Sequence, residues 1–476
     1  MTTFFLLVLP MWNSLKNLSL HRQVLALAIP MVLSNITIPL LGLIDAAVIG
    51  HLEHAWYLGG VAVGGTMISV TFWLLGFLRM ATTGLTAQAY GAENKNALSQ
   101  TFSQGIFLAL CFSFILLLFH QPLSQIIFSF SDASVEVKHY AEQYFSIRIW
   151  SAPAALSNLV IMGWLLGTQN ARYPMWLVII TNSINIILDL LFVVGFHWKV
   201  EGAALASVIA DYSSLVIGLW FVLKQSNKLV LPSFIMSLSD LLSGFKRLLN
   251  LNRDIFLRSL CLQACFTFMT FQGASLGVDI VAANAVLMSF LMMISYGMDG
   301  FAYAMEAMVG KAIGAKSRTQ LADSLIGTTF WSLVISSLLS LVFGVFGYQL
   351  IAVISSIEDV QKTALIYLPW LIAMPLVSMW CFLLDGIFVG ATKGSEMRNS
   401  MFIAMITFFS VWWLMQDNGN HALWAAMISF MAMRGLSLAV TFYYQWKKSN
   451  FPIIGQMHYL IDRYTKKRAA VCSPFL

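Results

Sequence analysis

The sequence predicts an all-α integral membrane protein. Of its 476 residues, 59% are hydrophobic and only 10% are charged, whereas soluble proteins carry about 25% charged residues. Two long stretches, 96–131 and 324–357, contain no Asp, Glu, Lys or Arg, and about 20 apolar residues are enough for a helix to cross a bilayer. The apolar runs are long and unbroken rather than short and alternating, so an outer-membrane β-barrel is excluded.

Apolar runs between polar breaks predict about twelve membrane-spanning helices. Basic residues concentrate in alternate connections, so the positive-inside rule predicts that both termini are cytoplasmic. The net charge of +6 therefore reflects topology and does not indicate a nucleic-acid partner. The predicted spans lie near 23–50, 57–88, 100–119, 140–167, 173–196, 202–224, 254–275, 280–311, 324–346, 363–391, 399–416 and 421–446.

The longest polar connection divides the chain into two halves of about six spans each. The cytoplasmic tail at the end of the second half is basic, and it either contacts anionic lipid headgroups or is simply solvated. We predict an N-terminal segment (1–22), an N-lobe (23–224), a linker (225–253), a C-lobe (254–447) and the basic tail (448–476).

An internal repeat relates the two halves. The second span ends in AYGA at 89–92 and the eighth in AIGA at 312–315, while Gly163 and Gly167 in the fourth span match Gly386 and Gly390 in the tenth. Every second-half motif follows its counterpart at the same offset along the chain. Because each half holds an even number of spans, the repeats are parallel, and two such lobes facing a central cleft are typical of alternating-access transporters.

Polar residues inside the first half indicate an ion pathway, because a carboxylate near mid-membrane costs at least about 2.5 kcal/mol. Asp45 is the acidic residue of the first span, and Pro30 precedes it in a position that can bend the helix. The alternative is that Asp45 lies in water at the outer end of this helix.

The fifth and sixth spans carry polar stripes. Asn182, Asn185 and Asp189 fall on one helix face, and two amides accommodate either protonation state of the acid, as a proton or cation relay requires. Ser207 and Asp211 repeat the pattern in the sixth span. Close helix packing through the small residues before them is the competing interpretation.

The second half offers a different set of polar residues. Tyr303, Asp299 and Glu306 share one face of the eighth span with Tyr296, and Asp385 lies inside the tenth. Aromatic rings beside acids suit an organic cation. Equally, these residues could form a structural network that satisfies Arg79.

Signatures of enzymes and metal sites are missing from the sequence. It has no HExxH helix and no complete phosphate-binding loop, so neither catalysis nor ATP hydrolysis is expected, and no cofactor is predicted. Cys261 and Cys265 have no His or further Cys nearby, which favours core packing over a metal site.

Five stretches resemble the DinF branch of the multidrug and toxic compound extrusion (MATE) transporters. The resemblance extends over residues 20–447. It is carried by PLLGLIDAAVIGHL at 39–52, LLGFLRMATTGLTAQAYGA at 74–92, NIILD at 185–189, DGFAYAMEAMVGKAIGA at 299–315 and DGIFVGATKGSEMRNSM at 385–401.

This resemblance implies a two-lobe antiporter of the bacterial inner membrane that expels cationic or amphipathic compounds in exchange for H+ or Na+. By the family pattern Asp45, Asn185 and Asp189 form the N-lobe cation site, Asn158 and Ser207 complete it, and Pro30 bends the first helix. A sister branch places one C-lobe acid in the seventh span, where this chain has no mid-membrane acid but offers Gln263 and Gln272.

We therefore expect a monomeric, H+-coupled exporter of organic cations or amphipathic compounds. Three alternatives stay open: an Na+-coupled antiporter, a lipid or amphiphile flippase, and an intramembrane enzyme or sensor. A flippase for lipid-linked substrates needs several basic residues in its groove, and only Arg79 and Arg148 are candidates.

Overall fold

The computed structural model describes residues 16–50, 54–129 and 134–447, apart from the side chains at 43, 45–47, 50, 55, 127–129 and 238. These residues are almost entirely helical, and no strand occurs among them. Their α-helices are α1 Leu18–Gly50, α2 Ala55–Leu74, α3 Phe77–Gly91, α4 Lys95–Ser129, α5 Val135–Arg148, α6 Ala152–Gly167, α7 Arg172–Asp189, α8 Lys199–Leu229, α9 Leu238–Leu242, α10 Phe245–Ser275, α11 Val278–Gly314, α12 Arg318–Ile354, α13 Glu358–Gly390, α14 Gly394–Leu414 and α15 Asn420–Lys447.

The predicted fold class, an all-helical multi-pass membrane protein, is confirmed. Each of the twelve predicted spans coincides with a helix or with two helices in series, such as α2 with α3 and α5 with α6. Eleven segments among the described residues are long and apolar enough to cross a membrane. The remaining predicted span is the 21-residue helix α14, whose first turns include the charged residues Glu396 and Arg398.

Two compact units divide the chain. The first unit comprises Leu25–Tyr90 and Asn94–Leu260, and the second comprises Gly91–Glu93, the described residues up to Val24 and those from Cys261 onward. The core of the first unit includes α6, where Leu156, Val160 and Trp164 are fully buried. The predicted lobe boundaries at 224 and 254 remain predictions, since the compact units divide elsewhere.

The internal repeat is visible in the backbone. Both AYGA and AIGA end a helix, at Gly91 and Gly314, and the residues two positions later, Glu93 and Lys316, both have φ 53°. The next backbone N–H, from Asn94 or Ser317, donates to a carbonyl five residues earlier over 3.0 Å. The two halves therefore end these helices with the same left-handed cap, which satisfies carbonyls that the helix leaves open.

Glycines allow two helices to cross closely in each half. A Cβ on Gly163 of α6 would lie 2.5 Å from the carbonyl oxygen of Arg79 on α3, and one on Gly386 of α13 would lie 2.7 Å from that of Ala302 on α11. Gly386 and Ala302 follow Gly163 and Arg79 along the chain at the offset of the internal repeat. The contact supports the prediction that these glycines serve helix packing, as small residues do in membrane bundles.

The segment between α8 and α10 is attached to α4. The side-chain amides of Gln100 and Gln104 donate to the carbonyls of Asp240, Leu241 and Ser243 over 2.7–2.9 Å. These bonds satisfy peptide groups of a segment that has little regular structure of its own. The predicted linker is thus held against the third span.

Replacing Gly163 with Ala tests the close crossing. The new methyl group has to displace the α3 backbone, so we expect the free energy of unfolding to fall by about 1–3 kcal/mol. Thermal unfolding of the purified protein in detergent measures this. Gly344→Ala on α12 is the control, since a Cβ there meets no atom within 4 Å; equal melting temperatures for the two variants would contradict the packing role.

Candidate cation-coupling site

Asp189 is a deeply buried acid at the last position of α7. Its exposed fraction is 2%, and that of Asn185, one turn earlier, is 3%. The helix changes form immediately afterwards, because Leu190–Gly195 make a π-helical turn. Such turns are rare and frequently occur at functional sites, so the backbone beside this carboxylate differs from the regular helix around it.

Asn185 connects Asp189 to α8. With its amide nitrogen toward the acid, Asn185 Nδ2 donates to Asp189 Oδ2 over 3.3 Å, and Asn185 Oδ1 accepts from Ser207 Oγ at 3.1 Å and from the Ser207 backbone N–H at 3.2 Å. This orientation places donors against acceptors throughout. The structure therefore brings together three of the predicted coupling residues.

The polar stripe of α7 also reaches α1. Asn182 Nδ2 donates to Thr37 Oγ1 over 2.8 Å, and Thr37 Oγ1 donates to the Ser34 carbonyl over 2.7 Å. α1 is continuous through Pro30. The side chain of Asp45 lies outside the described residues, so its predicted pairing with Asp189 stays a prediction.

Asp211 belongs to an ion pair rather than to the Asp189 cluster. Arg148 Nη1 lies 2.7 Å from Asp211 Oδ2, with the two side chains 14% and 16% exposed. Arg148 also donates to Ser151 Oγ. Asn158 Nδ2 donates to the Asp211 backbone carbonyl over 3.1 Å, while its buried Oδ1 accepts no hydrogen bond within the described part of the chain.

The predicted C-lobe residues lie on two helices. Tyr303 and Asp299 are half-buried on α11, and Glu306, on the same helix, is 2% exposed. Asp385 on α13 instead forms an ion pair with Arg434 on α15, with 2.7 Å between Oδ2 and Nη2. Both of these side chains are more than nine-tenths buried.

Thr37 and Arg434 belong to these networks but are absent from the sequence-based set. Thr37 lies three positions after Ser34 and so on the same face of α1, a spacing that could have identified it. Arg434 is a lone base inside an apolar span, and such a residue is by itself a signal of a buried partner. Which acid it meets depends on helix packing.

Comparison with known proteins shows which family the chain resembles. The sequence model of the MatE family matches residues 30–191 and 255–414. DNA damage-inducible protein F of Escherichia coli K12 is 48% identical over 429 residues, which are 89% of this chain and 92% of that protein. The chain belongs to the MATE family of membrane transporters.

More distant members agree. A probable multidrug resistance protein NorM of Thermotoga maritima is 24% identical, with 83% of each chain covered. The crystal structure of a mutant of the Vibrio cholerae MATE transporter VcmN matches with a TM-score of 0.80 at 20% identity, covering 91% of this chain and 98% of that one. The MATE fold and the resemblance to the DinF branch are thus confirmed.

The Arg148–Asp211 pair generates a stability prediction. Arg148→Gln leaves the Asp211 charge without its guanidinium, and breaking a buried pair typically costs about 3–5 kcal/mol; with both groups partly exposed we expect the lower end. Thermal unfolding in detergent measures the loss.

Lys362→Gln is the matched control, because it breaks an exposed pair with Glu358 whose side chains are 65% and 78% exposed. Such surface pairs contribute about 0–1 kcal/mol. A loss as small for Arg148→Gln as for the control would show that the buried pair contributes little.

Proposed function

We propose that this MATE-family protein is an H+-coupled antiporter that exports organic cations or amphipathic compounds. The observation that carries the proposal is the Asp189–Asn185–Ser207 cluster. A carboxylate that is only 2% exposed accepts a hydrogen bond from an amide that carries no charge. An amide can donate to the ionised acid or accept from the protonated one, so this cluster tolerates both forms.

Asp211 and Asp385, which are each paired with an arginine on another helix, differ in this respect. Arg148 accompanies Asp211 and Arg434 accompanies Asp385, each over 2.7 Å. A guanidinium stays protonated in proteins and favours the ionised form of a neighbouring carboxylate. These two acids are therefore poor carriers of an exchangeable proton, and Asp189 is the better candidate.

A route from proton binding to helix movement follows from the contacts of α7. Protonation of Asp189 changes the hydrogen bond to Asn185, which is bonded to Ser207 on α8, and the adjacent π-helical turn offers an alternative backbone arrangement. Asn182 transmits a shift of α7 to α1 through Thr37. In this proposal Asp45 shares the proton, and α1 responds by bending at Pro30.

The remaining assignments follow from composition and topology. Asp299, Tyr303 and Glu306 are the proposed contacts for a cationic substrate, consistent with relatives named as probable multidrug resistance proteins. We propose a monomer in the bacterial inner membrane with both termini cytoplasmic. It needs no cofactor other than the coupling ion and binds no nucleic acid.

The flippase alternative is weakened by the position of Arg148. A lipid-linked pyrophosphate needs free basic groups, and Arg148 already donates to Asp211 and Ser151. Na+ coupling is a stronger competitor, since the carboxylate, amide and hydroxyl oxygens at Asp189, Asn185 and Ser207 are all oxygen donors of the kind that hard cations prefer.

Efflux of ethidium from proteoliposomes tests the proposal. An imposed pH gradient should drive efflux by the wild type, whereas Asp189→Asn and Asp45→Asn should reduce it to the level of protein-free liposomes, because neither variant can exchange a proton at the changed position. Glu358→Gln, which changes an exposed acid at the start of α13, should leave the rate unchanged.

The same assay distinguishes the alternatives. Efflux driven by a Na+ gradient and not by a pH gradient would assign Na+ as the coupling ion. Full activity of Asp189→Asn would remove the cluster from the mechanism. Efflux in the absence of both gradients, or no efflux under any condition, would favour the flippase or sensor interpretation.

A further inference from the structure

Arg434 is a buried base in the middle of α15. Its side chain is 3% exposed, and its Nη2 lies 2.7 Å from Oδ2 of Asp385, which is 8% exposed. A charged residue at this depth in an apolar helix is costly without a partner. The pair is therefore a built feature of the second unit, and the proposed coupling cluster around Asp189 does not use it.

The rest of the guanidinium faces soft and apolar groups. Arg434 Nη1 lies 3.3 Å from Met431 Sδ, and its central carbon lies 5.6 and 5.9 Å from the ring centres of Phe430 and Phe382. Its Nε is buried and finds no acceptor among the described residues. Asp385 is therefore the carboxylate in contact with this buried guanidinium.

The titratable groups that act on this guanidinium lie on three helices. Asp385 and Cys381 are on α13, Asp299 is on α11, and Cys265 is on α10. The two thiols are buried, and a buried thiol stays uncharged because its ionised form is disfavoured away from water. Asp385 is the acid in direct contact, so it is the group whose charge Arg434 controls.

The internal repeat gives this pair a counterpart in the first unit. Arg434 follows Asp211 at the same offset that separates Gly386 from Gly163, so the two occupy the same position of the sixth span in each half. Each pairs with the fourth span of its own half, Asp211 with Arg148 and Arg434 with Asp385. The first half carries the base on its fourth span and the acid on its sixth. The second half carries the acid on its fourth span and the base on its sixth.

We propose that Arg434 is a resident counter-cation, that is, a covalently attached positive charge that occupies the place on Asp385 that a transported H+ or Na+ would otherwise take. It keeps Asp385 ionised through the transport cycle and thereby confines ion coupling to the first unit. The inference rests on the proposed antiport function.

The physical reason is that a tethered cation cannot leave. A guanidinium does not lose its proton under physiological conditions, and at 2.7 Å it stabilises the carboxylate in the ionised form. Removing it leaves the buried Asp385 carboxylate without its guanidinium, and its charge then has to be neutralised by a proton or a cation from solution. Removing the guanidinium and the carboxylate together leaves no buried charge that needs to be neutralised.

This reasoning predicts the outcome for Arg434→Met, a variant of similar shape without the charge. Ethidium efflux from proteoliposomes is measured at a constant pH gradient while the absolute pH is moved from mildly acidic to mildly basic. We expect near wild-type efflux at acidic pH and a fall of about tenfold per pH unit once the lone carboxylate ionises, with partial recovery when Na+ is added.

Three companion variants isolate the role of the charge. Arg434→Lys keeps a positive charge and should keep the wild-type pH profile. Asp385→Asn leaves an unpaired guanidinium and should lose efflux at every pH. The double variant Arg434→Met/Asp385→Asn contains neither group and should return to the wild-type pH profile and to the wild-type number of protons moved per ethidium.

The double variant also decides the case if Arg434→Met does not fold. A wild-type pH profile and proton stoichiometry in the double variant mean that Asp385 takes no part in coupling. A changed stoichiometry means that Asp385 exchanges protons in the wild type, which overturns the proposal. A uniform loss at all pH values in Arg434→Met, with no restoration in the double variant, also overturns it, since the pair would then serve only packing.

Thermal unfolding in detergent separates this inference from the proposed function. If wild-type proteoliposomes show no gradient-driven efflux, the antiport proposal has failed. The melting temperature of Arg434→Met, relative to wild type, should still fall as pH rises, because the unpaired carboxylate is tolerated only when protonated, while that of the double variant should follow wild type. Parallel curves for all three proteins would contradict the counter-cation role itself.

Discussion

Inside a bilayer every peptide group must find its hydrogen-bond partner within the protein, because the hydrocarbon offers none. The described chain meets this constraint with long helices. Many hydroxyl side chains follow the same rule by donating to the carbonyl one turn back, as Thr101 does to Ala97 and Ser113 to Ala109. These side chains are satisfied locally, so a polar residue in a span does not by itself indicate a site.

The informative polar residues are those that reach another helix. Asn185 meets Ser207 and Asn182 meets Thr37 across helix boundaries, and the π-helical turn after Asp189 interrupts the regular backbone at the same place. The residues around Asp189 are distinguished by hydrogen bonds to other helices instead of bonds within their own helix. The acids then differ by partner. An arginine favours the ionised form of a carboxylate, whereas an amide can bond to either protonation state.

The two halves share a backbone plan and differ in charge. Helix caps recur at one constant offset, at Glu93 and Lys316. Glycine crossings recur at the same offset, at Gly163 and Gly386, and they depend on close backbone packing that only small residues allow. The position of Asp211 and Arg434 recurs as well, but with opposite sign. Duplicated architecture therefore supports an acid–arginine pair in each unit with the acid and the base exchanged between the two spans, and the Asp189–Asn185 contact belongs to the first unit.

Much of the fold was predictable from the chain alone. The apolar runs located all twelve helical segments, since length and hydropathy dictate where a helix can cross a bilayer, and the repeated glycines located helix ends and crossings. The stripe of Asn182, Asn185 and Asp189 was also visible, because residues three or four apart share a helix face.

The pairing of distant charges was not predictable in this way. Asp211 pairs with Arg148 and Asp385 with Arg434, across sequence separations of 63 and 49 residues. Periodicity assigns a side chain to a face of its own helix but does not say which helix that face meets. Only the packing of α5 against α8 and of α13 against α15 decided that Asp211 and Asp385 each meet an arginine.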